Sequence, residues 1–203
     1  TPKPSSAASD VYKRQGVPVR LVEALATLGL RDLTLVSNNA GAGDRGLAAL
    51  LKAGAVRRIV CSFPRSAGSH VFEALFDAGK IELELVPQGT LAERLRAGGA
   101  GIPAFYTPTG YGTPLAEGKE TREFDGRGHV LEHALRGDVA LIHAACGDRH
   151  GNLAYAKTAR NFNPVMATAA RTTLAEVREL REALDPEAIV TPGIFVTRVC
   201  EVG

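Results

Sequence analysis

The chain has 203 residues, no tryptophan, three cysteines and few aromatics, seven Phe and four Tyr. Cys61, Cys146 and Cys200 are odd in number and far apart. That excludes a disulfide framework and fits reduced thiols in a cytoplasmic protein. No apolar run approaches the ~18 residues of a membrane span, and no secretory hydrophobic segment is present. Net charge is only +2. No Lys/Arg run exceeds two residues beyond position 15, so neither nucleic acid nor a membrane is an expected partner. The G-x-S-x-G elbow and the C-x-x-C pair are both missing. Cys61, Ser62 and Ser66 stand in no His/Asp arrangement that would activate them, so no catalytic nucleophile is expected in this chain.

A hydrophobic fraction of 45% and a charged fraction of 23% suit one globular domain, or a tight pair of subdomains, with a sizeable core. Residues 1–15 are polar and aperiodic and read as a non-native or disordered tail. The domain proper is expected over 16–203. From Gly16 onward helical and strand patterns alternate. Pro18 opens a helix carrying Leu21, Val22, Leu25 and Leu28, which Gly29 closes. Strands follow at 33–37, 59–63 and 81–86, with helices at 44–53 and 71–78 between them. This alternation is the sign of an α/β fold, an open and mostly parallel sheet with helices on both faces. Further on, 113–129 reads as a turn-rich excursion or hairpin, 138–145 as a buried strand and 153–156 as its returning arm. Asn163-Pro164 reads as an N-cap with Pro at N1, opening a helix over 164–170. Residues 172–184 suit an amphipathic helix or a strand equally, and 189–199 reads as strand, turn, strand.

Pro87 to Gly112 gathers six glycines, three prolines and three aromatics, Phe105, Tyr106 and Tyr111. Such a stretch reads as a shaped functional loop or as a structural connector. Thr90 and Glu93 form a capping-box pattern that predicts a helix over 91–97. Its N-terminus would present the Pro87–Gly89 turn to an anion.

Three further patterns carry chemistry. Gly41-Ala42-Gly43-Asp44-Arg45-Gly46 matches G-x-G-x-x-G between a strand and a helix. The acidic residue expected ~20 positions on is missing, although Arg65 could face a 2′-phosphate, so an NADP-dependent oxidoreductase stays open as an alternative. Asn38-Asn39 ends a parallel strand, where α/β proteins bind ligands, and side-chain amides there can donate to an oxyanion. Cys146 lies between His143 and His150, and His129 and His133 are four apart, yet neither set has paired zinc spacing, so no metal is expected. Glu117 flanks the central stretch, as does Glu93, which the cap already explains.

Taken together, SNNAG (37–41), SFPR (62–65), KIELELVPQGTLAERLRAGGAGIPAFYTPTGYGT (80–113), EGKETREFDGR (117–127), GDRHGNLAY (147–155), ARNFNP (159–164) and DPEAIVTPGIFV (185–196) resemble the A (alpha) subunit of the class I coenzyme A transferases. The resemblance spans about residues 16–203 and is strongest to the 3-oxoadipate branch, with the acetoacetate-type 3-oxoacid branch next. It implies a B-subunit partner in a heterodimer that often pairs into an α2β2 assembly. It implies transfer of CoA from succinyl-CoA to a 3-oxoacid through a glutamyl thioester on the B subunit. The Ser-Glu-Asn-Gly setting of that glutamate is nowhere in this chain, and no cofactor is implied beyond the CoA thioester substrate. By the same resemblance Asn38, Asn39 and Gln88 contact substrate, while Gly89, Gly101, Phe105, Gly110 and Tyr111 shape the pocket. The alpha subunits of the family carry a first strand with a Gly-Gly-Phe motif, of which only Gly16-Val17-Pro18 matches here. The expectation is that this strand is missing or replaced and that activity is weak or absent unless it is supplied.

Overall fold

A computed structural model describes residues 16–202. The expected tail and the lost Gly-Gly-Phe strand lie outside the described residues. The chain divides into two compact units, one of residues Val19–Arg136 and one built from Gly137 onward together with the segment ending at Pro18.

The first unit begins as the alternation predicts. Helix α1 (Val19–Ala26), strand β1 (Leu33–Val36), helix α2 (Leu47–Lys52), strand β2 (Val56–Cys61), helix α3 (His70–Asp77) and strand β3 (Glu82–Leu85) follow in order. The three strands form one parallel sheet in the order β1-β2-β3. On central strand β2, Ile59, Val60 and Cys61 are all buried, as a parallel strand covered on both faces requires.

Helix α4 (Gln88–Ala100) then runs to strand β4 (Ala104–Thr107). It starts three residues earlier than the capping box predicts. Pro87 is the N-cap and offers no side-chain cap. Thr90 is already inside the helix and buried, and its hydroxyl has no hydrogen-bond partner. Glu93 pairs with Arg96 at 2.6 Å instead of reaching back. Pro87, with φ −53° and ψ 140°, sets the entry, so the helix has no use for a Thr cap. Arg94 ties α4 to both of its neighbours: it reaches Glu84 of β3 at 2.6 Å and the carbonyl of His133 at 2.8 Å. Burial pushes the Glu84 carboxyl up, but hydrogen bonds and charge from Arg94 and Arg58 outweigh it and hold the group below the usual carboxylate range.

Strands β5 (Thr121–Phe124) and β6 (Arg127–His133) complete an antiparallel sheet in the order β4-β6-β5. Their two-residue turn, Asp125-Gly126, has φ of 48° and 71°, the paired positive values of a type I′ hairpin. A Cβ at Gly98 of α4 would lie 2.2 Å from the carbonyl oxygen of Leu135. Gly98→Ala is therefore expected to destabilise the protein by about 1–3 kcal/mol through overpacking. That exceeds the ~1 kcal/mol which alanine gains over glycine in a helix interior. A urea midpoint that stays put or rises would refute the close approach.

The second unit holds a mixed sheet in the order β10-β9-β7-β8. Strand β7 (Gly137–Asp148) turns into the short β8 (Leu153–Ala154), as the hairpin reading expects. Helix α5 (Asn163–Thr168), strand β9 (Ala170–Arg181) and strand β10 (Arg198–Glu201) follow. The ambiguous 172–184 segment is thus mostly strand. Thr173, Ala175 and Val177 alternate into the interior beside Ile142 and Ala144 of β7, a period of two that no helix face offers. At 189–192 the predicted strand is only an isolated bridge, Thr191 to Leu153. Asn163 does not cap α5; Phe162 holds that place. The buried Asn163 side chain accepts the backbone amide of His143 at 3.0 Å and donates to the carbonyls of Gly16, Ala159 and Arg160. Asp148 is a second polar hub, 2% exposed. It accepts the amides of His150, Asn152 and Leu184 and the side chain of Asn152. The α/β class with a parallel sheet and helices holds, and among the described residues the strands fall into three sheets, one parallel, one antiparallel and one mixed.

Candidate functional site

The carboxyl ends of β1, β2 and β3 lie along one edge of the parallel sheet, and three short loops leave from it. Ladder contacts continue past β1: the Ser37 amide donates to the Val60 carbonyl, and Asn39 bridges Phe63. Asn38 therefore sits at a fixed register beside Ser62. Its backbone carbonyl accepts the amides of Ser62 and Phe63, and its side-chain carbonyl accepts the Ser62 hydroxyl at 2.6 Å. Asn39 accepts the amide of Gly41 at 2.9 Å in a local Asx turn, with Gly41 at φ 86°. Both carboxamides are half-buried with their carbonyl oxygens engaged. Their NH2 groups make no hydrogen bond among the described residues, so they stand as donors for an incoming oxygen.

Gln88 opens α4 directly after β3 and is exposed. Asn38, Asn39 and Gln88 thus occupy one sheet edge, two strand spacings apart, about 10 Å. The helix N-terminus adds unpaired backbone amides beside Gln88. Such an edge can hold a carboxylate or steady an oxyanion. Neither Cys61 nor Ser62 stands there as an activated nucleophile: burial pushes the Cys61 thiol up to about 11, and the Ser62 hydroxyl is committed to Asn38.

Of the expected pocket-shaping residues, Gly89 alone accompanies Gln88, in the first turn of α4. Gly101 is the left-handed C-cap of that helix, φ 76°, about 20 Å along the axis from Gln88. Phe105 lies on β4 opposite Glu132. Gly110, φ 86°, shapes the turn after β4, and the Tyr111 ring lies over Gly128 of β6, where a Cβ would come within 2.1 Å of it. These four residues build the helix end and the antiparallel sheet, not the Asn38–Gln88 edge. Sequence reasoning missed the role of Ser62, which positions Asn38 across 24 residues of chain. Its place in SFPR, at the end of a strand, is the signal that could have found it.

The Gly41–Gly46 motif opens a helix of only six residues. A Cβ at Gly41 would lie 2.9 Å from the Ala48 amide, so this glycine serves close strand–helix packing. Arg65 pairs with Asp77 at 3.3 Å. The geometry is that of a tight structural turn. His129 Nδ1 donates to the Arg127 carbonyl at 2.8 Å and the ring packs edge-on against Phe124, while His150 lies in the Asp148 turn. Among the described residues no three His, Cys, Asp or Glu side chains converge as a metal site. No helix among them is long and apolar enough to cross a membrane.

Parallel strands alternating with helices, with polar loops at their carboxyl edge, define an α/β protein, the class whose ligands bind at such edges. The coenzyme A transferase family profile matches residues 12–202. The chain is 62% identical over 189 residues to the A subunit of the 3-oxoadipate CoA-transferase of Pseudomonas putida, covering 92% of this chain and 82% of that protein. It is 51% identical over 186 residues to the A subunit of a probable succinyl-CoA:3-ketoacid coenzyme A transferase of Bacillus subtilis, covering 91% and 77%. Among solved structures, an acyl-CoA transferase from Escherichia coli O157:H7 superposes with a TM-score of 0.79 at 25% identity, over 93% of this chain and 42% of that one. The chain belongs to the coenzyme A transferase family.

Proposed function

We propose that the chain is the A subunit of a 3-oxoacid CoA-transferase that moves CoA from succinyl-CoA to 3-oxoadipate. The observation that carries this reading is the edge formed by Asn38, Asn39 and Gln88, three carboxamides beside which Cys61 and Ser62 are not activated as nucleophiles. It suits a subunit that holds the acyl group while a partner performs the attack. The likeness to relatives named as A subunits supports a B-subunit partner, in a heterodimer or its α2β2 pair.

In the proposed reaction a B-subunit glutamate carboxylate adds to the thioester carbonyl of succinyl-CoA. Negative charge builds on the carbonyl oxygen, and NH2 donors from this edge steady it. Collapse expels the CoA thiolate and leaves a succinyl–glutamyl anhydride. The thiolate then attacks the glutamyl carbonyl, releasing succinate and leaving a glutamyl-CoA thioester. The same steps in reverse load CoA onto 3-oxoadipate. The chain needs no cofactor of its own in this reading, and its three free cysteines suit the cytoplasm.

Mixed with a matching B subunit, succinyl-CoA and 3-oxoadipate, the chain is expected to yield 3-oxoadipyl-CoA and succinate, read by chromatography. Transfer to acetoacetate but not to 3-oxoadipate would move the chain to the acetoacetate-type branch. Transfer to neither acid, even with the first Gly-Gly-Phe strand restored, would sink the reading.

A further inference from the structure

On the β7–β9 pair, one face and its opposite have different fates. Ile142, Ala144, Ala175 and Val177 point into the core of their unit. His143 and Arg178 occupy the opposite face, by the register that sets His143 against Glu176 and Cys146 against Glu179. There the chain from Tyr155 to Ala159 closes over the sheet and leaves a cavity of about 260 Å³. Its walls are His143, Tyr155, Lys157 and Arg178, with small alanine side chains between them.

Two features of this cavity are unaccounted for by the fold. Nδ1 of His143 is buried and has no hydrogen-bond partner. A buried polar atom left unpaired costs free energy, and in native proteins it commonly marks a missing water, ion or ligand. Lys157, Arg160 and Arg178 also make no ion pair among the described residues. Glu176 is the one carboxylate on that face of the strand pair, is itself buried, and does not line the cavity. The local balance is therefore positive. Lys157 is moreover held at φ 48°, a left-handed conformation that an L-residue keeps only when its surroundings impose it.

We propose that this cavity binds a phosphate dianion, with Lys157 and Arg178 as its charge partners and His143 Nδ1 as a hydrogen-bond partner. Its volume lies below the ~300–1,000 Å³ of whole-ligand pockets, so it takes orthophosphate or one terminal phosphate group and not an entire nucleotide. Arginine and lysine are the side chains that recognise phosphate, by fork and by point charge. A monocarboxylate would leave a surplus cation uncompensated. Burial, and then the charge of Arg178, hold the His143 imidazole below its ordinary range, which keeps it neutral and able to accept from or donate to a phosphate oxygen. Two sources share this chemistry, a free small phosphate ester and the terminal phosphate of the CoA that this family handles.

The test is calorimetric titration of the intact chain with orthophosphate at low salt, alongside acetate, CoA and dephospho-CoA. Orthophosphate is expected to bind with a Kd below about 1 mM, and at least about tenfold more weakly to the Lys157→Ala/Arg178→Ala double variant. Both side chains are exposed, so the variant should fold. A histidine NMR titration of the unaltered chain gives a second readout, in which phosphate shifts the His143 ring resonances selectively. Competition by CoA but not dephospho-CoA would identify the terminal phosphate as the source; competition by neither would identify a free ester. No orthophosphate binding, equal binding of acetate, or equal binding by the double variant would each overturn the proposal. None of these readouts needs turnover, so they stand or fall apart from the transferase assay.

Discussion

Asn38→Ala, in the complex with the B subunit, is expected to lower kcat by about 10²–10³, the usual loss on removing one preorganised oxyanion donor. KM for succinyl-CoA should change much less, because the donor acts chiefly on charge that develops during attack. The structure explains why Asn38 is the position to change. Its backbone is pinned by the Ser62 and Phe63 amides and its side-chain carbonyl by the Ser62 hydroxyl, so its NH2 is aimed before substrate arrives. Ser62→Ala removes the clamp and keeps the donor, and should cost less, about tenfold. Gln88 is exposed and makes no such clamp, so Gln88→Ala is expected to raise KM more than it lowers kcat. Rates for Asn38→Ala within twofold of the unaltered complex would reduce this edge to scaffolding.

Asp148→Ala should be the most destabilising single change among the described polar residues, at about 3–5 kcal/mol. The side chain accepts three backbone amides and the Asn152 amide, and deletion leaves buried donors unpaired at ~1–3 kcal/mol each, less what entering water restores. A typical domain has only ~5–15 kcal/mol to lose. Urea denaturation measures it, and a loss below about 1 kcal/mol would show that the hub is dispensable. Acidity should act in the same direction. Burial raises the Asp148 carboxyl, but the hydrogen bonds from Asn152, Leu184 and His150 prevail and hold it below its ordinary 3.8. Its contribution is therefore complete above that value and is lost as pH falls through the lower folded-state pKa. The unaltered protein should show an acid limb in this range that the alanine variant lacks.

The first unit was readable because local rules and the final structure agree there. Each strand from Leu33 to Leu85 is short and carries Leu, Ile or Val, and Gly54 and Gly79 follow closely on the two intervening helices. The Asp125-Gly126 turn announces its own hairpin. Where the reading failed, side chains had been given local partners that the fold assigns elsewhere. Thr90 and Glu93 look like a box only if the helix begins at residue 91. Asn163 looks like a cap until β7 and the Gly16 segment claim its amide. Strand period gives the α/β class but says nothing of which strands pair, so the division of the described strands among three sheets is not legible in it. Strand ends are visible in a sequence, so the placing of Asn38, Asn39 and Gln88 at one sheet edge is legible from it. The Ser62 clamp and the unpaired His143 nitrogen are not, because both depend on contacts between distant segments.

Helix α4 has a mechanical consequence. Gln88 at one end and Gly98 near the other belong to a single stiff rod, separated by about 15 Å of axial rise. The far end is seated against the Leu135 backbone with no room for a methyl group, and Arg94 clamps the middle to β3 and to the His133 carbonyl. Any shift forced at Gly98 must be carried along the rod or absorbed by bending it. The aim of Gln88 is thus set partly by packing one helix length away, and distant substitutions along α4 can retune the Asn38–Gln88 edge without touching it.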